Sequence, residues 1–276
     1  MASTQSRRTP LSLAAEFGRE RVVKILLERN DVDPNTADAQ SGRTPLSVAA
    51  EEGREGVVRI LLKRNDVDPN LADAQSGRTP LSFAAEKGHE GVVMMLLERD
   101  DVNPNIADTK YGRTPLAFAA MIGHEGVVMI LLQRDDVNIN TTDTRCNTPQ
   151  SGRTPLSWAA EFGCEGFVRM LLERNDIDPN KTDTQSGRTP LSLAAENGRQ
   201  EIVMMLLDRD DVDPNIGDPE SGQTPLSWAA RNGHVGVVMI LLKCRSIDPN
   251  IGDSENGRTP LWWAASNRHK EVVRIL

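Results

Sequence analysis

Residues 186–198 read SGRTPLSLAAENG, and close copies of this stretch occur eight times in the 276-residue chain. The Thr-Pro-Leu of the copies begins at Thr9, Thr44, Thr79, Thr114, Thr154, Thr189, Thr224 and Thr259. The spacing is 35 residues throughout, apart from 40 residues between Thr114 and Thr154. A fixed period of this length is typical of an array of stacked structural repeats. We number the copies repeats 1 to 8 in chain order.

The quoted stretch predicts a helix start followed by a closely packing face. Thr189 is a favourable N-cap, because its hydroxyl can accept a hydrogen bond from a free backbone N–H of the first turn. Pro190 suits the first helical position, where its missing N–H costs nothing. Leu191, Ala194 and Ala195 follow at helical spacing, and the small alanines let a neighbouring helix approach. We therefore expect a short first helix in every repeat.

The rest of the repeat predicts a second helix and an irregular loop. Gly198 can adopt the left-handed conformation that ends the first helix. A second helix is expected from about Gln200 to Arg209, and apolar residues cover so much of its surface that both sides need neighbours. Residues 210–222, DDVDPNIGDPESG, are dense in turn-forming residues. Because a single repeat cannot bury both helices, each repeat must be covered by the next.

Bulk composition disfavours several classes of function. Hydrophobic residues make up 38% of the chain and charged residues 26%, which favours a folded protein over a disordered one. The formal net charge of -8 disfavours binding to nucleic acid, which needs a basic face. No stretch approaches the ~20 apolar residues of a membrane-spanning helix. We expect no nucleic-acid, membrane or small-molecule partner.

The cysteines and the first residues indicate an intracellular protein. The three cysteines are Cys146, Cys164 and Cys244. Their odd number and wide spacing favour a reducing compartment over a disulfide framework. Residues 1–12 contain no apolar signal segment, so the glycosylation patterns at Asn140 and Asn180 are interpreted as chance. We predict an intracellular, cytoplasmic location.

The order of these motifs resembles that of a known family. GRTPLSxAAExG followed by EGVVxxLLxR and DVDPN is similar to the ankyrin repeat, especially to arrays in large multidomain fungal proteins. The resemblance implies an all-α solenoid of eight helix-turn-helix units with β-hairpin-like loops. It assigns residues 1–276 to one ankyrin repeat domain, whose units start near residues 7, 42, 77, 112, 152, 187, 222 and 257, the last incomplete. We expect a monomeric, non-enzymatic scaffold for a protein partner, without cofactor or metal.

Three positions depart from the family pattern. Ser replaces the usual His after Thr-Pro-Leu in six repeats, with Ala117 in repeat 4 and Trp262 in repeat 8, so a network built by that His is weakened or replaced. Glycine stands in the second helix where the family favours Glu, at an expected cost of up to ~1 kcal/mol each. These glycines are Gly56, Gly91, Gly126, Gly166 and Gly236. The helix-ending Gly before the loop is replaced by residues such as Asn30, Asn65 and Asp100, of which Asn tolerates the left-handed conformation better.

The last repeat and the one long spacing carry separate expectations. Arg268 replaces the glycine that ends the first helix, and Trp262 and Trp263 enlarge the last layer. The chain stops inside the second helix at Leu276. These features are expected of a degenerate capping repeat or, preferably, of a fragment of a longer array. The extra residues of the 40-residue spacing include 145–149, where we expect a tolerated loop insertion that could also contact a partner.

No residue pattern indicates catalysis. One position of the repeat is occupied by His89, His124, Cys164, His234 and His269. Equivalent side chains in stacked layers lie ~9 Å apart, too far to share a metal ion at ~2 Å, so a structural role is predicted. A column of loop aspartates is expected to bond to backbone N–H groups. Its members are Asp38, Asp73, Asp108, Asp143, Asp183, Asp218 and Asp253. The Asn of each Asp-Pro-Asn, such as Asn35, is interpreted in the same way.

Positions that vary between repeats have no packing duty and are candidates for partner contact. The column after the alanine pair holds Phe17, Glu52, Lys87, Ile122, Phe162, Asn197, Asn232 and Asn267, and the matching positions of ankyrin arrays line the concave side. A second variable set lies at the loop tips, at Gln40, Gln75, Lys110, Tyr111, Gln185, Glu220 and Glu255. The predicted protein-binding residues are Phe17, Glu52, Lys87, Lys110, Tyr111, Met121, Ile122, Phe162, Asn197 and Asn232. Lys110, Tyr111, Met121, Ile122 and Phe162 are the predicted centre; the alternative is ordinary scattered surface apolar residues.

The roles of three further columns are predicted from the residue types that stand beside them or replace them in other repeats. The arginines Arg43, Arg78, Arg113, Arg153, Arg188 and Arg258 could grip an acidic partner, but Glu51, Glu86, Glu161 and Glu196 favour a mixed-charge ladder. Met94, Met129, Met204 and Met239 alternate with Lys24, Arg59, Arg169 and Arg274, which predicts a solvent-facing column, either a second contact surface or partly buried between layers. The always apolar column of Leu13, Phe83, Trp158, Leu193 and Trp228 is predicted to be core.

Three functions are open at this point. The leading hypothesis is a protein-binding scaffold, and the resemblance suggests the recognition segment of a larger, NLR-like signalling or immune-receptor protein. The first alternative is a structural spacer whose faces bind nothing specific. The second is an unrecognised enzyme, which the absence of phosphate-binding, zinc-protease and hydrolase motifs disfavours.

Overall fold

A computed structural model describes residues 8–39, 41–143, 152–184 and 186–276. In those residues the regular elements are sixteen α-helices, and no strand is present. The helices are α1 (Pro10–Glu16), α2 (Glu20–Leu27), α3 (Pro45–Glu51), α4 (Glu55–Leu62), α5 (Pro80–Lys87), α6 (Glu90–Leu97), α7 (Pro115–Ile122), α8 (Glu125–Leu132), α9 (Pro155–Phe162), α10 (Glu165–Leu172), α11 (Pro190–Glu196), α12 (Gln200–Leu207), α13 (Pro225–Asn232), α14 (Val235–Lys243), α15 (Pro260–Ser266) and α16 (Lys270–Ile275). Each repeat contributes one odd-numbered and one even-numbered helix, which confirms the predicted all-α helix-turn-helix array. The inserted residues 145–149 and the loop-tip residues Gln40 and Gln185 lie outside the described residues.

The chain divides into two compact halves, residues 1–138 and residues 139–276. The first half holds α1 to α8 and the second holds α9 to α16. Within each half, the first helix of every repeat packs on the first helix of the next, and the second helices pack on one another in the same way. Neighbouring repeats therefore cover each other's helices, as the repeat pattern predicts. The assignment of residues 1–276 to one domain stays a prediction.

The predicted helix starts are confirmed. In all eight repeats the N-cap Thr accepts a hydrogen bond from the backbone N–H three residues on, and Pro follows it. In repeat 6 the Ser192 N–H donates to the Thr189 hydroxyl at 3.1 Å. Gly198 takes the expected left-handed conformation, with φ of 69°. The local sequence alone thus sets where the first helix begins and ends.

The ends of the second helices differ from expectation. α12 stops at Leu207, two residues before the predicted Arg209, because the Arg209 N–H bonds to the carbonyl of Leu206 and tightens the last turn. The prediction that Asn30, Asn65 and Asp100 adopt the left-handed conformation is wrong. Among the described residues the one non-glycine with positive φ is Arg268, at 62°.

The loops close as the resemblance implies, although they form no strand. In the loop of repeat 1 the Asp38 N–H donates to the carbonyl of Arg43, and the Gly42 N–H donates back to the carbonyl of Asp38, both at 2.9 Å. The pair 73–78 repeats this arrangement. These two bonds close a short hairpin-like turn directly before the N-cap Thr44.

The core consists of the columns that stay constant or apolar. Leu81, Ala84 and Ala85 are at most 1% exposed. Phe83, Trp158, Leu193 and Trp228 confirm the predicted core column, but the prediction is wrong for Leu13, which is 37% exposed because its helix α1 has a neighbouring repeat on one side among the described residues. The Ser that replaces the family's His is also buried: the Ser47 hydroxyl lies 3.0 Å from that of the N-cap Thr44. The His network is therefore replaced by a shorter hydroxyl pair that satisfies a buried polar group within one repeat.

Candidate partner-binding surface

The variable column after the alanine pair faces solvent. Phe17 is 60% exposed, and Ile122 and Phe162 are each 46% exposed. The polar members of the column, Glu52, Lys87, Asn197 and Asn232, are exposed as well. The alanines two residues before them are buried, so each first helix passes from the core to the solvent-exposed surface within two residues.

Several members of the column are held in place by neighbours. The Phe162 ring stacks on the buried Trp158 ring, with centroids 5.6 Å apart. The Asn197 amide donates to the carbonyl of Leu193 at 2.9 Å, and the Asn232 amide donates to the carbonyl of Glu196 at 3.0 Å. Such contacts reduce the side-chain entropy that a partner would have to freeze on binding.

The predicted centre falls into two parts. Lys110, Tyr111, Met121 and Ile122 belong to the first half of the chain, and Phe162 belongs to the second. Lys110 Nζ lies 5.0 Å from the centre of the half-buried Tyr111 ring. Met121 is also half-buried, so less of it is available to a partner than of Ile122. Partner binding by these residues stays a prediction.

The arginine column forms the predicted mixed-charge ladder. Arg78 Nη1 lies 2.8 Å from Glu86 Oε2 in the same repeat. The same pairing joins Arg8 to Glu16, Arg43 to Glu51, Arg153 to Glu161 and Arg188 to Glu196. The guanidinium also stacks on an aromatic ring of the next repeat, as Arg43 does on Phe83 at 4.4 Å. In these repeats the arginine is neutralised and serves packing between layers.

The aspartate column binds the loop backbone, as predicted. Asp73 is 4% exposed, and its carboxylate accepts hydrogen bonds from the N–H groups of Gln75, Ser76 and Arg78. Burial raises the pKa of Asp73, but the Ser76 hydroxyl and these N–H groups lower it by more, so the pKa lies below its ordinary value. The aspartates of this column therefore hold the loops in shape and are not arranged as a carboxylate site.

The asparagine column has a role that sequence reasoning missed. The Asn70 amide donates to the carbonyl of Asp101 at 2.7 Å and accepts from the N–H of Asn103 at 2.9 Å. Both partners lie in the next repeat, so the bond joins layers rather than closing a local turn. The same pair of bonds is made by Asn35, Asn105, Asn140, Asn180 and Asn215. The amides of Asn140 and Asn180, which lie in the glycosylation patterns, thus both join repeats; the interpretation of these patterns as chance stays a prediction.

The histidines are structural, as predicted. His89 Nε2 donates to the carbonyl of Glu51 at 2.9 Å, at the end of the first helix of the preceding repeat. Arg54 occupies the same position and bonds to the carbonyl of Glu16 at 2.9 Å. The position therefore supplies a donor to otherwise free helix-end carbonyls. Within the described ranges no three His, Cys, Asp or Glu side chains gather as metal ligands would.

A second arginine position, near the end of each second helix, also joins repeats. Arg64 forms an ion pair with Asp66 and donates to the carbonyl of Leu27, the last residue of the preceding second helix. Arg99, Arg134 and Arg209 repeat this arrangement. The Arg-x-Asp spacing in the sequence is the signal that could have revealed it.

Comparison with known families agrees with these contacts. The family model described as ankyrin repeats in three copies matches residues 2–73, 65–143, 136–218 and 211–276. The chain belongs to the ankyrin repeat family. Ankyrin repeats are generally non-enzymatic protein–protein interaction modules. A search of curated proteins found no match.

One more column of this ankyrin array faces solvent. Met94, Met129, Met204 and Met239 are between 44% and 53% exposed. The basic residues that replace them elsewhere, Lys24, Arg59, Arg169 and Arg274, are exposed too, so the predicted solvent-facing column is confirmed. No helix in the described part of the array is both long and apolar enough to cross a bilayer.

Proposed function

We propose that this ankyrin array is a non-enzymatic scaffold that binds a protein partner through the variable column of its first helices and through its loop tips. The contact residues are Phe17, Glu52, Lys87, Lys110, Tyr111, Met121, Ile122, Phe162, Asn197 and Asn232. The partner packs against the side that ankyrin arrays present as their concave face. The array acts as a monomer and needs no cofactor.

One observation carries the proposal. Phe17, Ile122 and Phe162 keep about half of their surface in water, while the alanines next to them are fully or almost fully buried. Large apolar side chains at positions without a packing role are a cost to solubility unless a partner covers them. Aromatic anchors of this kind are favoured at the centres of interfaces.

The test uses substitutions that the chain itself shows to be compatible with the fold. Repeats 6, 7 and 8 carry Asn at the same position, so Phe17→Asn, Ile122→Asn and Phe162→Asn should leave the array folded. The matched control is Met94→Arg with Met129→Arg, since arginine occupies that exposed column in repeats 2 and 5. Each protein is used to capture partners from an extract of its source cells.

The proposal expects a partner that the wild type and the methionine control both retain and that the triple Asn variant loses by at least about tenfold in affinity. Retention by all three proteins would move the contact away from the variable column. Failure of the wild type to retain any protein would favour a structural spacer. Turnover of a substrate by the purified chain, abolished by one polar substitution, would favour an enzyme.

We further propose an intracellular, cytoplasmic location. The three cysteines are odd in number and widely spaced in the sequence, in keeping with a reducing compartment. Localisation of the tagged chain in its source cells tests this assignment.

A further inference from the structure

The loop after α14 in repeat 7 departs from its counterparts at three successive positions. Repeats 1 to 6 have an arginine, then an asparagine or aspartate, then an aspartate at these positions, and repeat 7 has Cys244, Arg245 and Ser246. The second arginine position and its Arg-x-Asp ion pair are therefore lost in this repeat. Cys244 contacts the serine instead, with its Sγ 3.2 Å from the Ser246 hydroxyl.

Ser246 stands at a solvent-facing position on an irregular stretch of backbone. It is exposed, and the aspartates at the same position of repeats 2 to 6 keep 52% to 56% of their side-chain surface exposed. The exposure therefore belongs to the whole column and is not peculiar to repeat 7. The backbone leaves α14 at Cys244, which is extended, with φ of -71° and ψ of 125°. The Ser246 carbonyl accepts a hydrogen bond from the Asn215 amide at 2.7 Å, which ties this loop to the preceding repeat.

Two comparisons within the chain set this serine apart. The hydroxyl of a typical loop serine, Ser186, donates to the carboxylate of Asp183 at 2.6 Å, whereas the Ser246 hydroxyl contacts only a thiol among the described residues. Ser254 is exposed as Ser246 is, but it stands between an aspartate and a glutamate. The second half thus holds two exposed loop serines in opposite charge surroundings.

Basic residues precede Ser246. It is the only serine of the sequence that directly follows a lysine or an arginine, and a second basic residue, Lys243, stands three positions before it. Arg245 occupies a column that is otherwise asparagine or aspartate. Both basic side chains are exposed, and neither forms an ion pair within the part of the chain that the structure describes. Protein kinases distinguish their substrates by such charge patterns.

We propose that Ser246 is a phosphorylation site for a serine kinase that selects basic residues before the serine. The Ser246 Oγ attacks the γ-phosphorus of ATP and forms a bond to it, while the bond from that phosphorus to the β–γ bridging oxygen breaks and ADP leaves. The hydroxyl proton passes to a carboxylate of the kinase. The phosphoserine carries about -1.5 to -2 charges at neutral pH.

The array already accommodates negative charge at this position. Six repeats have an aspartate there, paired with an arginine in each of them. In repeat 7 Lys243 and Arg245 supply the positive charge, through charge-assisted hydrogen bonds to the phosphate. Phosphorylation therefore gives the neutral Ser246 the charge of its counterparts without unfolding the loop. This inference goes beyond the proposed function and does not depend on it, because the proposed contact residues lie on the first helices and at the tips of other loops.

The test uses the full chain, ATP with Mg²⁺, and a purified serine kinase whose substrates carry lysine or arginine three residues before the serine. A synthetic peptide of residues 240–252 verifies that the kinase is active on this sequence. The tryptic peptide that ends at Arg258 contains both Ser246 and Ser254, so fragmentation in the mass spectrometer compares the two serines directly. We expect the initial rate at Ser246 to exceed that at Ser254 by at least about tenfold.

Two variants separate the charge pattern from the serine itself. Ser246→Ala should remove this modification completely. Lys243→Glu with Arg245→Asn introduces the residues that repeat 5 has at these positions, so the fold should be kept, and we expect the rate at Ser246 to fall by at least about tenfold. The unfolding midpoint in urea verifies the fold of each variant. The phosphorylated chain should unfold at a midpoint no lower than that of the unmodified chain.

The proposal is overturned if the kinase modifies the 240–252 peptide but not Ser246 of the folded chain, or if Ser254 is modified equally fast. A wild-type rate in Lys243→Glu with Arg245→Asn would also overturn it, since the basic residues would then not select the site. A midpoint lowered by phosphorylation would show that the phosphate does not take the place of the aspartate. Absence of phosphate from Ser246 in chain purified from its source cells, with phosphatases inhibited, would contradict the assignment as well.

Discussion

Arg268 occupies a position that glycine holds in the other repeats, and its backbone stays left-handed, with φ of 62°. The left-handed conformation costs a residue with a side chain roughly 1–2 kcal/mol. Glycine avoids this cost, but it loses more backbone entropy on folding, so the net gain from glycine is smaller. We expect Arg268→Gly to raise the free energy of unfolding by about 0.5–1 kcal/mol in urea denaturation. The matched reverse change is Gly233→Arg, at φ of 73°.

Gly233→Arg should destabilise the chain by more than Arg268→Gly stabilises it. A Cβ at Gly233 would lie 2.5 Å from Nδ1 of His269, so this change adds a clash to the backbone strain. An unchanged midpoint for Arg268→Gly would mean that the last repeat does not take part in the measured transition.

The inter-repeat asparagines are the second test at this scale. Asn70→Ala removes one donor and one acceptor and leaves the carbonyl of Asp101 and the N–H of Asn103 without their partner. We expect a loss of about 1–3 kcal/mol in the free energy of unfolding, measured in urea. Asn250 is exposed and makes no such bridge among the described residues, so Asn250→Ala should change stability by less than about 0.5 kcal/mol. Equal effects would show that the bridge adds nothing.

These residues also mark what sequence can and cannot predict. Thr189 could be assigned as a cap because its partner lies three residues away. Asn35 was assigned a local bond, whereas its partners in the next repeat follow 31 and 33 residues later. The identity of a single residue does not indicate whether its hydrogen-bond partner is local or lies in the next repeat. The exposure of Phe17 could be predicted, since variation between repeats reveals which columns do not pack.

At the scale of the helix, the glycines of the second helices have a neighbour that the sequence did not reveal. A Cβ at Gly91 would lie 2.2 Å from Oε1 of Glu55 in the preceding repeat, and Gly56 meets Glu20 and Gly126 meets Glu90 in the same way. The carboxylate is the far end of a flexible, exposed side chain, so it can move away at small cost. Alanine at these positions therefore gains helix propensity but must displace the carboxylate.

A double-mutant cycle separates the two effects. We expect Gly91→Ala alone to raise the free energy of unfolding by about 0.5 kcal/mol, because the small cost of displacing Glu55 removes part of the gain in helix propensity. In a Glu55→Ala background the same change should stabilise by about 0.5–1 kcal/mol. Equal effects of Gly91→Ala in both backgrounds, measured in urea, would contradict this coupling.

Helix starts and helix ends differ in how local they are. Every first helix begins at a Thr-Pro pair, whose capping bond and fixed φ act within one turn. The second helices end without a left-handed residue, and the arginine that follows is held by an aspartate and by a carbonyl of the preceding repeat. Asn65 is therefore not required to terminate the helix, and the family pattern misled the sequence-based expectation.

At the scale of the molecule, the buried aspartates link stability to pH. The pKa of Asp253 is lowered in the fold: burial raises it, but the backbone N–H groups of Asn256 and Arg258 and the charge of Arg258 lower it by more. Asp73 behaves alike. The unfolded carboxyls keep an ordinary pKa of about 3.9, so the unfolded chain binds protons first as the pH falls.

Their contribution to stability is therefore complete above about pH 5 and is lost as the pH falls through the folded pKa. We expect the free energy of unfolding in urea to be flat between neutral pH and about pH 5 and to decline below it. Asp73→Asn should be less stable at neutral pH by about 1–3 kcal/mol and should decline less steeply in acid. If the stability of Asp73→Asn declined in acid as steeply as that of the wild type, Asp73 would not contribute to the pH dependence.

The central claim is that constant columns pack the layers and that the column of Phe17, Ile122 and Phe162 is left free for a partner. A scan of all single substitutions, scored by the abundance of folded protein in cells, tests this most directly. Tolerance should repeat with the spacing of the Thr-Pro-Leu motifs: leucine and alanine columns such as Leu81 and Ala84 should reject polar residues, and Phe17, Ile122 and Phe162 should accept them. If these three positions were as intolerant as Leu81, they would belong to the packing and the claim would be wrong.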